Sequence, residues 1–304
     1  MTLAESIAFD LNFEAKYVSL VAQTASHRYK TYSIPKKTGG TRTIEHPARE
    51  LKLFQRWLVE NLFARLPVHR AARAYKRGSS IYRNASQHKS HNFILKVDFK
   101  DFFPSIRAVD IYHLLQTHLD TLKGRIASTS DIELVCRLVC RNGRLTIGAP
   151  SSPIVSNCVM YEFDETWVTV SRQNRITYTR YADDLYFSTN EGNVLERVLN
   201  DLKADLGQRP YPVLRINEEK TVFTSRKRRR LVTGLVLTPA GTISLGRHRK
   251  RVIKSLVYRN SQGRLQPEQV ASLKGMLAYA QSVEPSFIER LRRKYGSLGY
   301  GKSE

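Results

Sequence analysis

Two runs with apolar residues at alternate positions, residues 176–180 and 185–188, are separated only by Tyr181-Ala182-Asp183-Asp184. Alternation of period two predicts strands, and so short a gap makes the chain double back as a tight β-hairpin. Two adjacent carboxylates then stand at its tip. Side by side they repel, so they are either solvated in an open turn or neutralised by a cation. Mg²⁺ accepts one or two carboxylates together with phosphate oxygens.

A third acid favours the cation. The segment NFILKVDFKDFFPSI predicts a strand over residues 93–99, with Phe93, Leu95, Val97 and Phe99 on one face and Ile94, Lys96 and Asp98 on the other. Asp98 closes this mostly buried strand, where an unpaired carboxylate is costly, whereas Asp101 reads as a solvated turn residue. A strand-end aspartate beside a hairpin-tip pair is the carboxylate set of a two-metal centre, with ions roughly 3.5–4 Å apart. Phosphoryl transfer asks a protein for positioning and charge neutralisation, which acids holding Mg²⁺ beside basic side chains supply.

Charge points to a polyanionic partner. Fifty Lys and Arg face 27 Asp and Glu, a net charge of +23 that exceeds what solubility asks of a metabolic enzyme. From Lys220 through Pro267 there are thirteen Lys or Arg and no acid. Arg228, Arg229 and Arg230 belong to one run, and Arg247, Arg249, Lys250 and Arg251 to another. Strand-like LVTGLVL and TISLG between them favour a folded nucleic-acid surface over a tail. No apolar stretch approaches the roughly 18 residues of a spanning helix, and the amino terminus lacks signal-peptide features. Cys136, Cys140 and Cys158 fit neither a zinc spacing nor a disulfide framework. A cytoplasmic, reduced protein with no membrane partner is the expectation.

Organisation follows periodicity. Leu51, Phe54, Leu58 and Leu62 share a helical face in a segment ended by Pro67. Ahead of it, IPKKTGGTRTIEHP reads as a hairpin turning at Gly39-Gly40, either a plain exposed basic hairpin or a flap whose cations meet a triphosphate. Helices are expected over residues 108–118 and 131–141. Gly148-Ala149-Pro150 leaves room for another backbone or a base to approach, and Ser151 or Ser152 is expected to cap one long helix. A strand at 213–216 follows a helix at 194–206. The alternation predicts an α+β protein, an antiparallel sheet backed by helices, with basic carboxy-terminal helices at 247–258, 267–280 and 285–295.

In order along the chain, VDFKDFF, GAPSSP, YADD, NEEK and TGLVL resemble the palm motifs of reverse transcriptases. Asn84-Ala85-Ser86-Gln87-His88 and Val232-Thr233-Gly234 resemble the NAxxH and VTG elements of bacterial retron reverse transcriptases. The resemblance runs from about Ile34 to the carboxy terminus. It implies a right-hand polymerase fold: N-terminal helices and fingers at 1–91, an antiparallel-sheet palm at 92–245 with a fingers insertion near 108–147, and a small helical thumb at 246–304.

It also implies roles. Asp98, Asp183 and Asp184, with the Phe99 carbonyl, would hold two Mg²⁺ ions, Mn²⁺ being a substitute. Phe103 would gate the incoming sugar against a 2′-hydroxyl. Lys37 and Arg42 would grip the dNTP triphosphate, Gly148 and Ala149 would floor the nascent pair, and Lys220 would protonate pyrophosphate. Asn84, His88, Val232, Thr233 and Gly234 would join the basic runs in binding RNA. The family usually has Pro-Gln where this chain has Thr146-Ile147. The implied activity is RNA-directed DNA synthesis on a cognate non-coding RNA, primed from a guanosine 2′-OH, yielding branched multicopy single-stranded DNA (msDNA) for antiphage defence. A host RNase H and an effector protein are implied partners. A group II intron-like or CRISPR-associated reverse transcriptase and a non-catalytic RNA-binding scaffold are the alternatives.

Overall fold

The computed structural model describes residues 1–36 and 39–298. In chain order the helices are α1 Leu3–Leu11, α2 Ala15–Gln23, α3 Arg49–Asn61, α4 Ile81–His88, α5 Phe102–Ser105, α6 Ala108–Thr117, α7 Thr129–Val139, α8 Ser152–Val159, α9 Tyr161–Gln173, α10 Val194–Gln208, α11 Arg247–Ser261, α12 Pro267–Val283 and α13 Pro285–Tyr295. The strands are β1 Tyr29–Pro35, β2 Thr41–Pro47, β3 Phe93–Lys100, β4 Thr177–Tyr181, β5 Asp184–Thr189, β6 Arg215–Ile216, β7 Val222–Ser225, β8 Arg230–Val232, β9 Leu235–Leu237 and β10 Ile243–Ser244. None of the described helices is long and apolar enough to cross a membrane.

The chain divides into two compact units that cut across the expected boundaries at 91 and 245. The first comprises Met1–Arg77, Lys96–Phe187 and Asn193–Val222; the second comprises Gly78–Leu95, Ser188–Gly192 and the chain from Phe223 onward.

In the first unit, α3 buries Leu51, Phe54 and Leu58 completely, as its period requires. This unit's sheet has the strand order β4-β5-β3-β6. Antiparallel pairing of β3 with β6 sets Phe99 opposite Ile216 and Lys100 opposite Arg215. Because β3 ends at Lys100, no ladder remains for residue 213, and the expected strand shrinks to two residues. The single helix expected after Ser152 breaks at Met160, which turns to ψ 6° between α8 and α9. Neither serine caps it: both hydroxyls are buried without a hydrogen-bond partner. All three cysteines are free and buried, which fits packing.

In the second unit β8, β9 and β10 form an antiparallel sheet against which α4 packs, and α11, α12 and α13 pack on one another. Val232 pairs with Leu235, so Thr233 and Gly234 alone make the turn, both at positive φ (48° and 76°). That is the backbone a two-residue hairpin demands.

Candidate active site

The β4–β5 turn is tighter than the four-residue turn its sequence predicts: Ala182 (φ 58°) and Asp183 alone connect the strands, and Asp184 already belongs to β5. Two backbone bonds fix the acids around the end of β3. Phe99 donates its N–H to the Asp183 carbonyl at 3.0 Å, and Asn217 donates to the Asp98 carbonyl at 2.8 Å.

Electrostatically the three carboxylates form one site. Burial raises the Asp183 carboxyl above its ordinary range, and Asp184 and Asp98 raise it further. Burial also raises Asp184, opposed mainly by Lys96 and by the Tyr186 hydroxyl. Lys96 Nζ lies 2.8 Å from Asp184 Oδ1, and the Tyr186 hydroxyl donates to Asp184 Oδ2 at 3.0 Å. Lys220 Nζ donates to Asp98 Oδ1 and Oδ2 at 3.0 and 3.3 Å, and this bond is the main reason its ammonium is held above its ordinary range. Among the described residues no three His, Cys, Asp or Glu side chains close into a metal cage by themselves. Two ammonium groups neutralise acids there instead. The donor chemistry suits a hard divalent cation: oxygen ligands only, partly desolvated, with a mutual repulsion that two positive charges relieve.

The Gly148 segment is shaped by close backbone approach. Gly148 has φ 123°, and a Cβ there would lie 2.8 Å from the Glu45 carbonyl oxygen. Glu45 donates its N–H to the Ile147 carbonyl at 2.8 Å, so this loop is bonded to β2, the strand that carries Arg42. Another backbone, rather than a base, accounts for the glycine. Ala149 is buried, Arg42 is exposed, and Lys37 lies outside the described residues. Asp101, exposed at φ 48°, opens α5. Phe102 then turns inward to stack on Phe99, with centroids 5.8 Å apart, while Phe103 stays half-buried against Tyr75.

Sequence reasoning missed the support beneath the hairpin. Arg180 is fully buried: its Nε and Nη2 bond the Asp164 carboxylate, Nη2 at 2.6 Å, and its Nη1 bonds Asn157 Oδ1 and the Ala182 carbonyl. The Tyr178 hydroxyl also donates to Asp164. A cation in an alternating apolar run was the available signal, but its partner lies on another element, 16 positions away. Lys96 was more legible, sharing a strand face with Asp98.

The RNA-binding expectation divides. Arg228, Arg229, Gly234, Arg247 and Arg251 are exposed, Arg249 and Lys250 partly so. A groove of about 760 Å³ is lined by Arg226, Lys227, Arg228, Arg229, Arg247 and Arg251, among others. Asn84, His88, Arg230 and Val232 are fully buried. Arg230 instead binds the carbonyls of His91 and Thr238, while His88 Nδ1 lies 2.7 Å from Ser188 Oγ, which lies 2.8 Å from His91 Nδ1. The Thr233 hydroxyl is occupied by the Ile81 carbonyl at 3.0 Å. These residues shape the basic surface from beneath.

Residues 34–254 match the family described as reverse transcriptase (RNA-dependent DNA polymerase). The chain is similar to the Retron Ec83 reverse transcriptase of Escherichia coli, 41% identical over 92% of this chain and 90% of that one. It is also similar to the Retron Ec73 reverse transcriptase of Escherichia coli, 34% identical over 88% of this chain and 86% of that one. The Retron Mx162 reverse transcriptase of Myxococcus xanthus is 33% identical over 86% of this chain and 59% of that one. Among solved structures, apo telomerase from Candida tropicalis matches 88% of this chain with a TM-score of 0.52 at 11% identity, a likeness of fold alone; the chain spans 58% of that telomerase.

Proposed function

Since the chain belongs to the retron-type reverse transcriptases, RNA-directed DNA polymerases that depend on a divalent cation, we propose that it copies a structured non-coding RNA of its own locus. Synthesis starts from a guanosine 2′-OH and yields branched msDNA. The observation that carries the chemistry is the shared electrostatics of Asp98, Asp183 and Asp184, with two lysines already compensating them.

Asp98, Asp183, Asp184 and the Phe99 carbonyl would hold two Mg²⁺ ions, for which Mn²⁺ substitutes. Bound there, the ions lower the cost of deprotonating the attacking hydroxyl and neutralise the leaving phosphates. The chain's own groups do the rest. Lys96 and Lys220 compensate charge when the acids are otherwise bare. Lys220 Nζ, exposed and bonded to Asp98, would supply a proton to the leaving pyrophosphate. Arg42 and Lys37 meet the triphosphate, Gly148 and Ala149 floor the pair, and Phe103 presents its ring to the sugar, which favours dNTPs. The exposed arginines of the basic groove would hold the RNA by phosphate contacts and shape. The product, an effector protein and a host RNase H that trims the template would complete a cytoplasmic antiphage module.

The test is to sequence nucleic acid copurifying with the protein expressed from its own locus. DNA joined to RNA through a 2′-5′ branch is expected. DNA made only with an added primer would instead indicate a group II intron-like or CRISPR-associated enzyme. No DNA at all would leave an RNA-binding scaffold.

A further inference from the structure

Tyr75 combines two features that core packing does not explain. It is the only aromatic residue with positive φ (59°) among the described residues. That backbone is an outlier for a bulky side chain and persists only where surrounding structure over-determines it. It is also 51% exposed, so its ring was not placed there to fill the core.

The over-determination is visible. Arg180 donates its N–H to the Ala71 carbonyl at 2.9 Å, and Arg73 donates to the Arg180 carbonyl at 2.7 Å, so the segment leading to Tyr75 is paired with β4. Asn157 Nδ2 donates to the Ala74 carbonyl at 3.0 Å, while Asn157 Oδ1 accepts from Arg180 Nη1. The buried guanidinium that holds the Ala182 carbonyl of the catalytic turn therefore also holds, through Asn157, the residue before Tyr75. One network sets the ring and the acids in a fixed relation. The ring centroid lies 6.4 Å from that of Phe103, the planes tilted by 48°. Its phenol is raised chiefly by burial; Asp183 adds to this and Arg42 opposes it, so the ring feels both the acid end and the Arg42 end of the site.

We propose that Tyr75 is a specificity-determining residue of the nucleotide pocket: with Phe103 it forms a continuous aromatic wall against which the sugar and base of the incoming dNTP pack. This rests on the polymerase reading above. It explains why a tyrosine stands where glycine would fit the backbone without strain.

The experiment uses the full chain on an RNA template with an annealed DNA primer. It measures kcat and KM for dGTP and dTTP, and nucleotide Kd on a 3′-terminated primer. Y75G suits the backbone, so its Tm is expected to equal or exceed wild type while KM and Kd rise about tenfold, the scale of one lost stacking partner, with kcat changing less. Y75F, which keeps the ring, is expected within twofold of wild type. Unchanged KM and Kd in Y75G overturn the proposal, as does an equal loss of Tm and kcat in both variants, which would make the ring a folding element. Wild-type protein that makes no DNA on any template sinks the polymerase reading and this one with it; active wild type with unchanged KM in Y75G sinks only the role of Tyr75.

Discussion

The acid site of the first unit and the basic groove of the second handle charge in opposite ways. Around Asp98, Asp183 and Asp184 there are few charges, most of them only part-buried, and two of the acids have named partners in Lys220 and Lys96. In the groove, arginines stand exposed with no acid between Lys220 and Pro267 to offset them. Chemistry needs individual charges held in place, whereas holding a polyanion needs a field, which tolerates mobile side chains and depends on salt.

The sharpest way to break this contrast is Asp183→Asn. Synthesis is expected to fall on the order of a hundred- to a thousandfold, with RNA affinity within a few fold, as a filter-binding assay would read. Loss of both together would mean that the two regions are not functionally separable. The same variant sharpens the electrostatics. A carboxyl raised in the folded state destabilises the fold as the pH climbs above the ordinary value of 3.8 and the group ionises. Asp183→Asn should therefore have the higher Tm at neutral pH, with the gap closing on acidification; a constant gap would contradict the mutual repulsion.

Next is the groove. Replacing Arg228 and Arg229 by Ala should flatten the plot of log affinity against log salt by about 0.7 per lost phosphate contact on single-stranded RNA. Arg230→Ala, by contrast, should leave that slope unchanged and lower Tm, because two part-buried carbonyls lose their donor. Equal slopes across these variants would erase the distinction between surface and support. Gly148→Ala should cost about 1–3 kcal/mol, seen as a drop in Tm with a raised dNTP KM as β2 is pushed away. Smallest is the response to metal: adding Mg²⁺ should raise the wild-type Tm slightly and leave that of a protein carrying Asn at 98, 183 and 184 unmoved.

Much of this was legible because it depends on neighbours in sequence. The hairpin around residues 181–184, the face shared by Lys96 and Asp98, and the burial of Leu51, Phe54 and Leu58 follow from periods of two and 3.6. The α+β polymerase fold was legible from the order of its motifs. The break at Met160 was not, since Ser152 through Gln173 reads as one helix with nothing local to stop it. Nor was the burial of Arg230, which sits in a run of five basic residues and is singled out only by the carbonyls it reaches.

By itself, the sequence determined which acids could meet, that a hairpin would present them, and that a basic surface would exist. Only the tertiary structure decided which cations compensate those acids, that Gly148 yields to a backbone, that Arg180 and Asp164 brace the turn, and that Tyr75 stands beside Phe103. The reason is physical: turns and strand faces are set by local backbone sterics, whereas a buried charge is placed by whichever partner the fold brings within hydrogen-bonding distance.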